Sequence, residues 1–228
     1  MDTNTIWSLS WIIINWVPRC METTTVCCFP VQYEAFMLVS GGEAILMGEQ
    51  VTSQFGYGYT NGSVQTAYDS INKRTYIHQD ITSINSRYPG QPQQWNFIDI
   101  IHYEKRTRWR IYGDSSCEIY HDVMSPLWVE CIPENATLVS RGRIGSRGEG
   151  VTYRFRHSIY LTAYELTVTV TLDDSNPGQC WPVSVTSSQS YLSPSNKNVD
   201  MTTAKVLDLT EGIPDERIFQ PPNSCFEN

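Results

Sequence analysis

Charge is scarce in this sequence: Asp, Glu, Lys and Arg make up only 18% of its 228 residues. The charge that exists leans acidic, 24 acidic against 16 basic residues, for a formal net charge of −8. A chain that neutralises nucleic-acid phosphates needs the opposite balance, so a general nucleic-acid-binding role is excluded. Low charge does not mean disorder here, because 40% of the residues are apolar, a globular composition. Long apolar runs are also lacking. The stretch from Ile6 to Val17 is rich in Ile and Trp but too short for a bilayer, which takes about 20 helical residues. No other segment approaches that length, so no transmembrane segment is expected. Ile6 to Val17 suits a signal-peptide core, although Asp2 stands where a basic leader is usual. Residues 1–25 therefore read as an atypical signal peptide cut between about Cys20 and Thr25, and 26–228 as a single domain.

Catalytic motifs are missing as well. The sequence contains no GxSxG, HExxH, Walker loop or GxGxxG. Gly56-Tyr57-Gly58-Tyr59 lacks the third glycine and sits in a strand pattern. The four histidines, His78, His102, His121 and His157, share no spacing. Asp114-Ser115-Ser116 beside His121 has the chemistry of a turn. These absences argue against an enzyme. Seven cysteines occur without a pair of CxxC knuckles or a nearby His-x3-His, which argues against structural zinc and for long-range disulfides in an oxidising compartment. Loss of Cys20 with the signal peptide would leave an even number. The sequons at Asn61 and Asn135 are candidate glycosylation sites and agree with an extracellular or, alternatively, lysosomal destination.

What is present is strand signal. Tyr (13) and Trp (7) are abundant, a bias towards sheet. Val151, Tyr153 and Phe155 alternate with polar residues, as do Leu166, Val168, Val170 and Leu172. Thr107 to Tyr112 sets Trp109 and Ile111 against Arg108 and Arg110, and Trp95 to Tyr103 reads as strand. Such alternation is the habit of antiparallel sheets with one buried face. Gly41-Gly42 reads as a hairpin break, Asn61-Gly62 as a tight turn, Asp173 to Gly178 as a turn, and Ser187 to Asn198 as a polar loop. Two basic clusters, one of Lys105, Arg106, Arg108 and Arg110 and one of Arg141, Arg143 and Arg147, read as solvated strand edges, with an anionic partner as the alternative. Asp173 and Asp174 are candidates for a calcium site made of oxygen ligands; no cofactor is required otherwise. The fold class is mainly β.

Six segments in order resemble the ependymin-related proteins. Cys27-Cys28-Phe29-Pro30-Val31-Gln32-Tyr33-Glu34 resembles the family's opening motif, with Tyr33 where tryptophan is common. Tyr68-Asp69-Ser70-Ile71-Asn72-Lys73-Arg74 matches its YDxxNxR signature, and Cys117 its mid-chain cysteine. Ile132 to Thr137, Cys180-Trp181-Pro182-Val183, and Gly212 to Asp215 through Phe219, Pro221, Pro222 and Cys225 resemble the later motifs. The resemblance implies a secreted glycoprotein whose curved antiparallel sheets form a half-open barrel or sandwich around an apolar cavity, similar to bacterial lipoprotein carriers. It implies a homodimer that binds a fatty acid or other lipid without covalent catalysis. Its second implication is a calcium-linked role in cell–matrix adhesion, with extracellular matrix as partner. Tyr153, Phe155, Leu166, Val168, Val170, Trp109 and Ile111 are the cavity-lining candidates on that view. Carried over by position, Cys27 would pair with Cys180 and Cys117 with Cys225. The sequence departs from some members in having no cysteine between Arg87 and Tyr103. Cys28 and Cys131 are left to pair together, to stay free or to bridge a dimer.

Overall fold

Runs rich in Val, Ile, Thr and Tyr form strands because branched and aromatic side chains pack well on a pleated surface. The computed structural model describes residues 25–47, 54–85, 92–121, 131–144, 148–159, 162–173, 175–176, 178–192 and 196–226. The signal-peptide reading, Cys20, Arg147 and Asp174 lie outside the described residues. Thirteen strands follow in order: β1 (Thr25–Cys28), β2 (Gln32–Met47), β3 (Gln54–Asp69), β4 (Arg74–Asn85), β5 (Gln93–His102), β6 (Thr107–Tyr112), β7 (Cys117–His121), β8 (Cys131–Pro133), β9 (Thr137–Arg143), β10 (Glu149–Ile159), β11 (Thr162–Leu172), β12 (Cys180–Leu192) and β13 (Asn196–Glu211). Eleven of them form one antiparallel sheet in the order β7-β6-β5-β4-β3-β2-β13-β12-β11-β10-β9, while β1 and β8 pair as a separate ribbon. The large sheet is not closed, since its edge strands β7 and β9 do not pair with each other.

Two glycine signals taken for chain reversals are bends instead. Gly41-Gly42 lies inside β2 and Asn61-Gly62 inside β3, and both strands run on unbroken. A Cβ added to Gly62 would stand 2.1 Å from the Asp80 carbonyl oxygen, and one added to Gly41 would stand 2.9 Å from Thr202 Oγ1. The neighbouring backbones approach so closely because the sheet folds towards that face, and only glycine leaves room. The reversal between β3 and β4 falls instead at Ser70–Lys73, with Lys73 at φ 50°. Ser187 to Asn198 is a further correction: Ser187–Leu192 continues β12 and Asn196–Asn198 opens β13. Ser187 and Gln189 there are buried, and a strand with polar residues on its buried side reads as loop by hydropathy alone.

We call the face bearing Val39 and Val64 inner and the opposite face outer. On the inner face, Met37, Val39, Val64, Ile77, Ile81, Ile101 and Ala204 form one core cluster. A second cluster joins Val151, Tyr153, Phe155, Leu166, Val168, Val170 and Cys180 to Cys27 and Ile132 of the ribbon, which thus caps the β10–β12 end. Disulfides Cys27–Cys180 and Cys28–Cys131 fasten the ribbon, and Cys117–Cys225 ties the C-terminal segment to β7. That segment covers the outer face of β4–β7: Cys225 packs with Ile100, Trp109, Ile98, Ile111 and Cys117.

Candidate functional site

Strand register aligns one apolar row across the inner face. Trp95, Ile81, Val39, Ala204, Val185, Val168 and Tyr153 stand side by side on β5, β4, β2, β13, β12, β11 and β10, with Gly62 of β3 in the same row. Because side chains alternate faces along each strand, the neighbouring rows on this face lie two residues away. On one side comes a hydroxyl row, Ser187–Thr202–Gly41–Thr60–Ser83, and beyond it Gln189–Asp200–Glu43–Gly58. Asp200 and Glu43 are directly opposed like charges, an arrangement that destabilises a sheet unless a proton intervenes. Asp200 is buried, and its Oδ1 has no hydrogen-bond partner among the described residues. Burial first, and Glu43 second, push its carboxyl up to about 7.

The β6 end of the same face carries a buried ionic cluster. Arg110 donates from Nε and Nη2 to Asp99 at 2.9 and 2.8 Å, and Arg108 Nε stands 3.1 Å from the same carboxylate. Burial tends to strip charge from both guanidiniums; for Arg110 the two hydrogen bonds to Asp99 outweigh it, while Arg108 is left lowered. Arg110 also stacks over Phe97 and Arg108 over Tyr120. Tyr112 and Tyr120 both donate their hydroxyls to Glu118 Oε2. This corrects the reading of Arg108 and Arg110 as solvated edge residues, for both are buried. Both faces of β6 are covered, one by the sheet interior and one by the C-terminal segment. Lys105 and Arg106 are exposed, as are Arg141 and Arg143 on the true edge strand β9.

The seven cavity candidates divide between the two faces. Tyr153, Phe155, Leu166, Val168 and Val170 are buried together on the inner face, directly beneath the β1–β8 ribbon. Trp109 and Ile111 project from the outer face, under the Cys117–Cys225 bridge. Alternation within β6 was legible, but not which side each half of the alternation meets. Asp173 accepts two hydrogen bonds at Oδ1, from the amide and hydroxyl of Ser175, which hold its carboxyl low. No group of three or more metal-ligating side chains occurs among the described residues. Asn135 is exposed in the turn before β9, and Asn61 is exposed in the middle of β3 on the outer face.

The YDxxNxR segment turns out to be a structural pin. Asp69 accepts from the Asn72 amide and Nδ2, from Gln32 Nε2 and from Arg74 Nε, at 2.7 to 3.1 Å. Burial opposes its ionisation, yet these donors bring its carboxyl down to about 2. Arg74 then reaches Glu216 at 3.0 Å and stacks on the buried Phe219, seating the C-terminal segment. The lone carboxylates Asp99 and Asp200, in otherwise apolar or hydroxyl-rich runs, were the sequence signal for the two polar ends of the inner face.

No curated protein sequence matches the chain significantly. Among solved structures, the chain is similar to a lipovitellin chain described for its lipid–protein interactions, at 6% identity and TM-score 0.38, covering 82% of this chain and 26% of that one. It is also similar to the LolA superfamily protein NE2245 from Nitrosomonas europaea, at 9% identity and TM-score 0.33, covering 86% and 98%. The chain thus spans about a quarter of the lipovitellin chain. Likenesses this remote bear on neither ligand nor mechanism. The sequence profile of the Ependymin family matches residues 91–225, from just before β5 through the Cys225 anchor and so over more than half of the chain. The chain belongs to the Ependymin family.

Proposed function

We propose that this protein is an extracellular lipid-binding protein that holds a fatty acid or another amphipathic lipid by burial, with no covalent chemistry and no required cofactor. The observation that carries this reading is the apolar row from Trp95 through Ile81 and Val39 to Ala204, on inner-face strands beyond the ribbon in a curled sheet that stays open. An acyl chain laid along such a row gains about 0.8 kcal/mol for each methylene taken out of water. The rows beside it suit the other end of the ligand, since hydroxyl and carboxyl groups lie on one flank and the Asp99–Arg110 cluster at the β6 end. Family membership supports the same reading. Three disulfides, together with sequons at Asn61 and Asn135, fit passage through an oxidising secretory compartment.

The test is native mass spectrometry of protein secreted from eukaryotic cells, followed by displacement of a fluorescent fatty acid. Bound lipid released on denaturation, and saturable displacement by oleate, are expected. Material that carries no lipid and shows no saturable displacement refutes the reading.

A further inference from the structure

The ribbon covers the inner face of β10–β12, and the C-terminal segment covers the outer face of β4–β7 at the end that bears Arg74, Ile100 and Trp109, leaving Asp80, Ile84 and Gln94 of β4 and β5 exposed. Neither reaches the outer face of β13, β2 and β3. There, and on the adjoining end of β4, Met201, Tyr59 and Ile84 are 48 to 55% exposed, while Leu38 and Phe36, 45 and 40% exposed, lie beyond the polar row Ser40–Asn61–Thr82. Register places Met201, Gly42, Tyr59 and Ile84 in one row across four strands. A groove of about 590 Å³ crosses the same face beside that row. Its volume is within the range of ligand sites, but its lining is dominated by hydrogen-bonding side chains, among them Ser40, Ser63, Asp80, Thr82, Gln94 and Lys205. Asn61 is itself part of that lining.

We propose that Asn61 carries an N-glycan whose proximal sugars lie in this groove and over Tyr59, so that the glycan is the cover of the outer face of the central strands. The proposal rests on the reading that the protein is secreted and glycosylated, and goes beyond it in giving the glycan a docking site. Period-two alternation puts Asn61 and the sequon hydroxyl of Ser63 on the same exposed face, open to modification. The attachment point lies inside the groove, so the first sugar needs no search to reach it. Hydroxyl, amide, carboxylate and ammonium groups match the hydroxyls and acetamido groups of N-acetylglucosamine, and the Tyr59 ring, two residues before Asn61, offers a flat apolar surface to a sugar face. A second copy of the chain would gain only the apolar row, and a sugar at Asn61 would hold it off.

Glycopeptide mapping of secreted protein first measures occupancy at Asn61; an unoccupied site overturns both this proposal and the glycosylation reading for Asn61. Hydroxyl-radical footprinting is then compared before and after enzymatic trimming of the glycans on the folded protein. Oxidation of Tyr59 and Met201 should rise several-fold on trimming, and likewise in Asn61→Gln, whereas Asn135→Gln leaves it unchanged. An occupied Asn61 with no change in footprint on trimming refutes the docking alone. Protection of these residues that depends on protein concentration in trimmed material would assign the face to a second copy and also overturn the proposal. If Asn61→Gln does not fold, the trimming arm decides.

Discussion

Replacing Asp200 with Asn should make the protein more stable at neutral and alkaline pH, contrary to the usual cost of altering a buried residue. Asp200 lies directly across from Glu43 on β2 and beside Gln189 on β12, 5% exposed, with no cation among those neighbours. Its carboxyl rises from 3.8 to about 7, first through burial and then through Glu43. In the unfolded chain it titrates near its ordinary value, so between about pH 4 and pH 7 the folded protein holds a proton that the unfolded chain does not. Stability therefore falls as pH rises through that window and levels off above it. At 1.36 kcal/mol per unit, the full cost above about pH 8 is at most about 4 kcal/mol, and relaxation around the site will reduce it. Asn resembles the protonated acid, so Asp200→Asn should match the wild type at or below about pH 4 and exceed it by a few kcal/mol near pH 8. Urea unfolding of the oxidised protein at both pH values measures this directly, with Glu43→Gln giving a smaller flattening of the same slope. A variant with the wild-type slope, or one less stable than the wild type at pH 8, would show that Asp200 stays ionised in the fold and that the reasoning is wrong.

Gly62→Ala should cost about 1–3 kcal/mol, because its Cβ would meet the Asp80 carbonyl oxygen at 2.1 Å. Gly142→Ala, with nothing within 4 Å, is the control, expected within about 0.5 kcal/mol in the same urea titration. Asp99→Ala strands two buried guanidiniums and should cost about 3–5 kcal/mol, read as a fall in thermal midpoint; an unchanged midpoint would mean that solvent reaches Arg108 and Arg110. Asp69, held at about 2, contributes at most about 2.5 kcal/mol above its unfolded value, lost as pH falls from about 4 to about 2. Asp69→Asn should remove that acid limb of the stability profile, and its persistence in the variant would count against the pin.

Sheet character was legible where one face is apolar and the other polar. Val151-Tyr153-Phe155 and Leu166-Val168-Val170 alternate in sequence, and the structure buries those six residues on one face. Legibility failed where the inner face is itself polar. Ser187 and Gln189 of β12 are buried, so a strand that serves the hydroxyl and carboxyl rows carries no apolar period to detect. Glycine failed in a different way. Turn chemistry marks where the backbone departs from ordinary geometry, but it cannot separate a reversal from a bend; Gly41 and Gly62 answer to packing against Thr202 and Asp80 on the neighbouring strands, the first of them distant in sequence. Arg108 and Arg110 were misread because charge in a strand was equated with solvent. Asp99, placed among Ile98, Ile100 and Ile101, was the clue that a countercharge is buried with them.

The covalent frame explains how an open sheet can hold an apolar inner face without closing on itself. A sheet whose ends do not pair must restrain them by other means, or the curl set by Gly41 and Gly62 can relax. Cys27–Cys180 fixes the ribbon against β12 at one end, and Cys28–Cys131 locks the two strands of the ribbon to each other. At the other end, Cys117–Cys225 and the chain Asp69–Arg74–Glu216 fix the C-terminal segment across β4 to β7. Each disulfide closes more than 100 residues, worth at most about 5 kcal/mol apiece when the chain is unfolded. Their placement matters more than their sum. The two ends are clamped on opposite faces, and the central strands β13, β2 and β3 are held by neither clamp. Those strands carry the close backbone approaches at Gly41 and Gly62 and the directly opposed Asp200 and Glu43 carboxyl groups, so the strain of the sheet is concentrated where neither clamp acts.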